Sequence, residues 1–268
     1  MDLPTTAITL PFAFAFGACI GSLLNVVAYR VPAGLSLVHP PSRCPHCHHR
    51  LGKTENVPIF GWLWLRGRCR WCKAPISPRY PIIEAATALL FCLAFWQFGF
   101  TLKTLSCWAF LSWLLALSLI DLDTMTLPNV LTKGGLLAGL GWQILLGWQQ
   151  GQVPQFLMLG IGSAVLGIWL FEIFLWTGTL LLRQPAMGGG DAKLAAGIGA
   201  WLGWKLLLVG SFFACAVGAV IGTGAIALGL ISRRQPIPFG PFLALGAAVA
   251  DFWGEAIIKL YLSVFFPI

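Results

Sequence analysis

The sequence predicts an all-α polytopic membrane protein with about eight transmembrane helices and a small cytoplasmic domain inserted after the first helix. Hydrophobic residues make up 58% of the 268 positions and charged residues only 10%, whereas an average soluble domain has roughly 25% charged residues. Apolar runs recur at about the 20-residue length that crosses a bilayer core. Basic residues are concentrated in one polar block, as they are in the cytoplasmic segments of membrane proteins.

Eight apolar runs are predicted to span the membrane. No basic segment precedes the first run, so we expect it to remain as an anchor and not to be removed as a signal peptide. The sixth run is short for a span, and its Gly197, Gly199 and Gly203 favour close helix packing. The predicted spans are residues 11–29, 82–98, 102–120, 130–148, 154–182, 192–204, 206–231 and 241–262.

The charge distribution predicts which loops face the cytoplasm. Eight of the 17 Lys and Arg residues lie in the block of residues 43–79. A cytoplasmic loop therefore explains the net charge of +8, and no nucleic-acid partner is expected. Alternation of the spans places three further segments on the same side and turns both termini outward. These segments are residues 121–128, residues 183–191 with Arg183, and residues 233–240 with Arg233 and Arg234.

Two CxxC pairs lie in the polar block, with 21 residues between them. Four thiolates can surround one tetrahedral zinc ion at about 2.3 Å, which closes its coordination shell and makes the site structural. Disulfides are the alternative, but a reducing cytoplasm disfavours them. The domain of residues 33–80 is therefore predicted to be zinc-ribbon-like and to depend on the metal for much of its stability. The predicted ligands are Cys44, Cys47, Cys69 and Cys72.

The chain has nine acidic residues, few enough to compare one by one. Asp191 stands directly after three glycines, at the start of the sixth predicted span, and Asp121 closes the third. Both aspartates therefore lie at the predicted cytoplasmic boundary of the membrane. The nine acids are Asp2, Glu55, Glu84, Asp121, Asp123, Glu172, Asp191, Asp251 and Glu255.

Asp121 and Asp191 are candidates for a catalytic dyad. Two carboxylates held close together cannot both ionise at low cost, so one keeps a proton near neutral pH while the other polarises a water molecule. Such a pair could attack a peptide carbonyl and would titrate as a unit. Position alone leaves other interpretations open, because Asp191 also suits the N-cap of a helix. Glu84, Glu172 and Asp251 lie within spans, where an acid is functional by default.

Taken together, these motifs resemble those of the type IV prepilin peptidases, bifunctional membrane aspartyl proteases of the GxGD type. The resemblance covers nearly the whole chain, and the order and spacing of its motifs make it specific. The matching segments are residues 21–27 with Arg30 and Pro32, both cysteine pairs, residues 65–69, residues 75–81 with Glu84, Asp121 seven residues before Pro128, residues 188–191, and residues 238–241.

The resemblance implies that Asp121 and Asp191 are the catalytic pair. It also implies that the short basic leader of prepilins and pseudopilins is removed at the cytoplasmic face of the bacterial inner membrane. The new N-terminal residue would then be methylated with S-adenosylmethionine as the methyl donor. The glycines before Asp191 are expected to leave room for an extended substrate backbone. The residues predicted to bind substrate are Gly188, Gly189, Gly190 and Lys193.

The resemblance links the zinc domain to methyl transfer, but two features leave this half of the activity open. Residues 53–56 replace a more aromatic stretch of the family, and no glycine-rich signature for the methyl donor is visible. A peptidase without methyltransferase activity is one alternative. A transporter or zinc-ribbon membrane scaffold with Glu172 and Asp251 in a polar path is another, although no inverted repeat is evident. The predicted domains are residues 1–32, 33–80 and 81–268, with the oligomeric state left open.

Overall fold

The structure, a computed structural model, describes residues 3–182, 188–232 and 235–266. In these ranges the regular secondary structure is helical, without a β-strand. The helices are α1 Leu3–Arg30, α2 Phe60–Trp64, α3 Arg79–Phe98, α4 Leu102–Thr124, α5 Asn129–Gln150, α6 Val153–Leu182, α7 Gly189–Leu202, α8 Trp204–Ala227 and α9 Gly240–Phe265.

Seven of these helices are long and apolar enough to cross a membrane, namely α1, α3, α4, α5, α6, α8 and α9. The prediction of a multi-pass, all-helical membrane protein is thus confirmed. The cytoplasmic placement of the loops stays a prediction. The basic residues Arg183, Arg233 and Arg234, on which part of that placement depends, lie outside the described residues.

The predicted sixth span corresponds to α7, which has 14 residues. At 1.5 Å per residue such a helix reaches only about 21 Å, less than the ~30 Å of a bilayer core. It ends because Gly203 takes a positive φ of 80°, a conformation that favours glycine, and α8 begins at the next residue. Of the eight predicted spans, seven therefore meet the length of a crossing and one is a short helix.

The chain forms two compact units, Met1–Ser112 and Trp113–Ile268, so the boundary falls inside α4. In the first unit α1 packs on α3. A Cβ atom added at Gly17 or Gly21 would lie 2.7 Å from the backbone of Ala88 or Glu84. Small residues at this spacing let two membrane helices approach closely. The predicted division of the chain at residues 32 and 80 stays a prediction.

In the second unit α7 packs against both α5 and α6. The Gln143 amide of α5 donates to the carbonyls of Ala200 and Trp201 at 3.1 and 3.2 Å. In return, the Trp201 indole donates to the carbonyl of Gly135 at 2.8 Å. Buried hydrogen bonds of this kind hold α7 at one rotation about its axis and at one axial position relative to α5. The direction in which the N-terminus of α7 points is thereby set.

Candidate active site and cysteine cluster

Asp121 and Asp191 lie in the second unit, and both are buried. Asp121 is in the last turn of α4 with 5% of its surface exposed, and Asp191 is in the first turn of α7 with 6% exposed. Burial raises the pKa of Asp191, and the charge of Asp121 raises it further, to about 7. Two buried carboxylates that influence each other's ionisation can share one proton near neutral pH.

The N-terminus of α9 contacts Asp121 directly. The backbone N–H of Gly240 donates to Asp121 Oδ2 at 2.9 Å, and the partial positive charge of the helix N-terminus favours an ionised carboxylate there. A Cβ atom at residue 240 would lie 2.7 Å from the same oxygen, so a glycine is needed for this contact. The sequence motif of residues 238–241 had pointed to this segment without giving Gly240 a role.

The structure excludes the interpretation of Asp191 as an N-cap. Gly188 takes the N-cap position of α7, and the N–H of Asp191 donates to the carbonyl of Gly188 at 3.1 Å. Asp191 is therefore the third residue of the helix. Its side chain is buried and is not an exposed cap.

The residues predicted to bind substrate occupy different environments. Gly188 and Gly189 are exposed, and a Cβ atom at Gly189 would meet no atom of the described residues within 4 Å. Gly190 faces the Leu127 side chain, 3.0 Å from the position of an added Cβ. The Lys193 ammonium donates to Asn129 Oδ1 at 2.8 Å and so ties α7 to the start of α5. Among the described residues, open space is thus present at Gly189, while a Cβ atom at Gly188 would lie 3.8 Å from Asp191 Oδ2.

The other acids that the structure describes do not assemble a comparable pair. Glu172 is exposed on α6 whereas Asp251 is buried in α9, so these two carboxylates do not share an environment. Asp123 is exposed. Glu84 lies in the first unit, where it is buried and accepts the N–H of Ile59 at 2.6 Å. These positions give no support to a polar path that uses Glu172 and Asp251.

The four predicted ligand cysteines cluster in the first unit. Their Sγ atoms all lie within 4.8 Å of one another, with Cys44 to Cys72 at 3.7 Å and Cys47 to Cys69 at 3.9 Å. A tetrahedral zinc ion with Zn–S bonds of about 2.3 Å requires sulfur atoms about 3.8 Å apart. A disulfide requires about 2.05 Å. The spacing therefore fits a metal ion and not the alternative of disulfides.

The backbone around each cysteine pair forms a tight turn that aims its sulfur atoms inward. The N–H of Cys44 donates to the carbonyl of His49, and the N–H of Cys69 to that of Ala74, both at 2.9 Å. The N–H groups of Cys47 and His46 lower the pKa of the Cys44 thiol to about 6. Burial and hydrogen bonds from the other three cysteines raise the pKa of the Cys72 thiol to about 11. Because the thiolate is the metal-binding form, Cys44 is the cysteine that this backbone prepares to bind a cation.

Comparison with known families and proteins adds to this geometry. Residues 15–98 match the model of the bacterial Peptidase A24 N-terminal domain, and residues 108–223 match the type IV leader peptidase family. No solved structure matches the chain.

Three relatives carry the name prepilin leader peptidase/N-methyltransferase. The protein of Aeromonas hydrophila is 39% identical over 94% of this chain and 93% of its own length. That of Stutzerimonas stutzeri is 37% identical over 94% and 93%. That of Legionella pneumophila is 36% identical over 92% of each chain.

Proposed function

Because the chain belongs to the type IV leader peptidase family, we propose that it removes the leader from prepilins and pseudopilins and then methylates the new N-terminus. The names of its relatives support both activities. Asp121 and Asp191 are the proposed catalytic pair. The observation that carries the proposal is the burial of these two interacting carboxylates beside an open glycine segment.

The proposed hydrolysis uses one proton shared by the pair. The ionised carboxyl takes a proton from a water molecule as the water oxygen attacks the scissile carbonyl, and the protonated carboxyl donates to the carbonyl oxygen. The carboxyl that took the proton from water passes it to the leaving amine as the C–N bond breaks, and a hydroxyl of the tetrahedral intermediate returns its proton to the other carboxylate, which restores the pair. The hydrogen bond from Gly240 favours the negative charge on Asp121, so the proton resides mainly on Asp191.

The exposed backbone at Gly188 and Gly189 is the proposed binding place of the substrate segment around the cleavage site. An extended peptide can approach the carboxyl of Asp191 along Gly189, where no side chain of the described residues lies within 4 Å of an added Cβ atom. The basic leader would stay on the cytoplasmic side, where the positive-inside pattern puts this boundary, and the apolar helix of the substrate would lie in the inner membrane. Lys193 acts indirectly in this proposal, by holding α5 to α7.

Zinc is the proposed occupant of the cysteine cluster, and its role is structural because four thiolates complete its coordination shell. The domain of residues 33–80 is proposed to serve methyl transfer, and residues 81–268 to serve cleavage. S-adenosylmethionine is the proposed methyl donor. The described residues contain no β-strand, so they do not form the strand–turn–helix site of Rossmann folds, and no donor-binding residues are assigned.

Replacing either dyad carboxyl by its amide tests the peptidase assignment. Asp121→Asn and Asp191→Asn should each lower the cleavage of a prepilin-like peptide by on the order of a thousandfold, because the amide cannot exchange the proton. Asp123→Asn, at an exposed site two residues from Asp121, is the matched control and should cleave normally. Turnover near the wild-type rate by a folded dyad variant would contradict the assignment.

Mass spectrometry of the product, with the methyl donor added, separates the bifunctional enzyme from a peptidase alone.

The rate of cleavage should fall as the pH rises above about 7. The pKa of Asp191 is raised to about 7 by burial and by Asp121, so the shared proton is lost above that pH. The same raised pKa lowers the free energy of unfolding as the pH rises from about 3.8 to about 7, and this loss is complete above pH 7, where Asp191 is ionised in both the folded and the unfolded chain. Initial rates from about pH 5 to 9, with a thermal melt at each pH, distinguish titration from unfolding. A rate that stays constant through the alkaline half of this range would be inconsistent with the shared proton.

Gly240→Ala should lower kcat by roughly ten- to a hundredfold while KM changes little, because the new methyl group displaces the Asp121 carboxylate. The alkaline limb of the pH profile should move as well, which a purely structural defect would not cause. Gly224→Ala is the control, since a Cβ atom there meets no described part of the chain within 4 Å. Equal kcat values for the two variants would show that the contact is dispensable.

Removal of zinc should unfold the cysteine-rich segment and leave the membrane helices folded. Hydrogen exchange of residues 43–76 should increase after chelation, because the metal supplies stability that a domain this small cannot obtain from its core. Cys47→Ser should lose the ion, whereas Cys215→Ser, another exposed cysteine, should retain one zinc per chain. Unchanged exchange after metal loss would argue against the structural role.

A further inference from the structure

A cavity of about 840 Å³ opens on the surface of the cysteine-rich segment, within the first unit. Four of its nine lining residues are basic and one is acidic, and all four basic side chains are exposed. The proposed peptidase chemistry uses none of them. The lining consists of Thr54, Glu55, Trp64, Leu65, Arg66, Arg68, Cys69, Arg70 and Lys73.

The acidic residue of the cavity is already engaged. The Glu55 side chain is only 7% exposed, and it lies 3.8 Å from the Arg70 guanidinium. It also accepts the N–H of Gly52 at 2.8 Å. Glu55 therefore compensates at most one of the four positive charges. A cavity with this excess of positive charge attracts an anion.

Exposed apolar side chains adjoin the basic cavity. Trp64 lines it and is 89% exposed, and Phe60 and Leu63 on the same short helix α2 are 64% and 55% exposed. Tryptophan beside basic residues is the composition of protein surfaces at the headgroup level of a bilayer. The combination therefore favours a lipid surface over a small polar anion.

The cavity is also held close to the membrane helices of the first unit. The segment leaves α1 at Arg30 and returns at Arg79, where α3 begins, and both helices are candidate spans. The N–H of Ile59, directly before α2, donates to Glu84 Oε2 in the second turn of α3 at 2.6 Å. This bond fixes the start of α2 beside a membrane helix, within reach of the lipid headgroups.

We propose that the basic cavity, together with the exposed face of α2, binds the phosphate headgroups of anionic phospholipids in the surrounding bilayer. The guanidinium groups of Arg66, Arg68 and Arg70 offer paired donors to phosphate oxygens. Lys73 adds a point charge, and Trp64 enters the boundary between headgroups and acyl chains. Soluble phosphate compounds share the phosphate chemistry but would not use the apolar face.

Native mass spectrometry of the full chain, released from detergent, tests the proposal with phosphatidylglycerol and phosphatidylcholine as probes. The wild type should bind phosphatidylglycerol preferentially. Arg66→Gln/Arg68→Gln/Lys73→Gln should weaken that binding by on the order of a hundredfold, since each basic residue near an anionic surface contributes roughly fivefold. The control Lys133→Gln/Lys205→Gln/Lys259→Gln removes equal charge from other exposed sites and should bind like the wild type.

Zinc content verifies that each variant keeps the folded segment. If the triple variant loses zinc, Arg66→Gln alone takes its place, with an expected loss of roughly fivefold. Wild-type binding of phosphatidylglycerol by a zinc-loaded variant would overturn the proposal. Displacement of the lipid by glycerol phosphate at equal concentration would also overturn it, because the site would then serve a soluble phosphate compound. Lipid binding is counted without turnover, so the outcome is independent of the proposed reaction.

Discussion

The candidate active site depends on the electrostatic free energy that it costs to bury a second carboxylate beside the first. Burial alone favours the neutral form of both Asp121 and Asp191, and a pair of neutral acids cannot activate water. The N-terminus of α9 offsets this for Asp121, whose Oδ2 accepts the N–H of Gly240, whereas the backbone hydrogen bond from Gly188 leaves the pKa of Asp191 still raised to about 7. The proposed pair is therefore asymmetric, with the charge favoured on Asp121 and the proton favoured on Asp191. The ionisation equilibrium of the pair thus involves three helices: α4 carries Asp121, α7 carries Asp191, and α9 supplies the N–H group of Gly240.

Much of this arrangement could be predicted from the sequence, since few acids occur in an apolar chain and two of them end or begin apolar runs. The cysteine cluster was equally accessible, because its CxxC spacing is local. The Gly240 contact was not accessible, since it joins residues 119 positions apart and its donor is a backbone group found at every residue. The sequence did indicate that the sixth run is short for a span, but it could not show that α7 is enclosed by other helices, because apolar composition does not distinguish a helix buried in protein from one that crosses lipid.

The two units stabilise their functional groups in different ways. In the second unit, a helix too short to cross a bilayer is enclosed by its neighbours and held by Gln143 and Trp201. In the first unit, the cysteine-rich segment has little regular structure and relies on backbone turns around sulfur atoms. Close packing surrounds the proposed dyad, whereas the proposed metal ion would let the cysteine-rich segment fold without a large core.

The donor to Asp121 belongs to the backbone, which makes it unusually resistant to mutation. Substitution of a side chain at residue 240 cannot delete the N–H group, with proline as the exception; it can only change the space around it. The acidity of the pair therefore depends on the backbone conformation at the start of α9. Through this contact, the acidity of the pair changes only when α9 moves relative to Asp121. The peptidase chemistry and the packing of α9 are therefore expected to vary together.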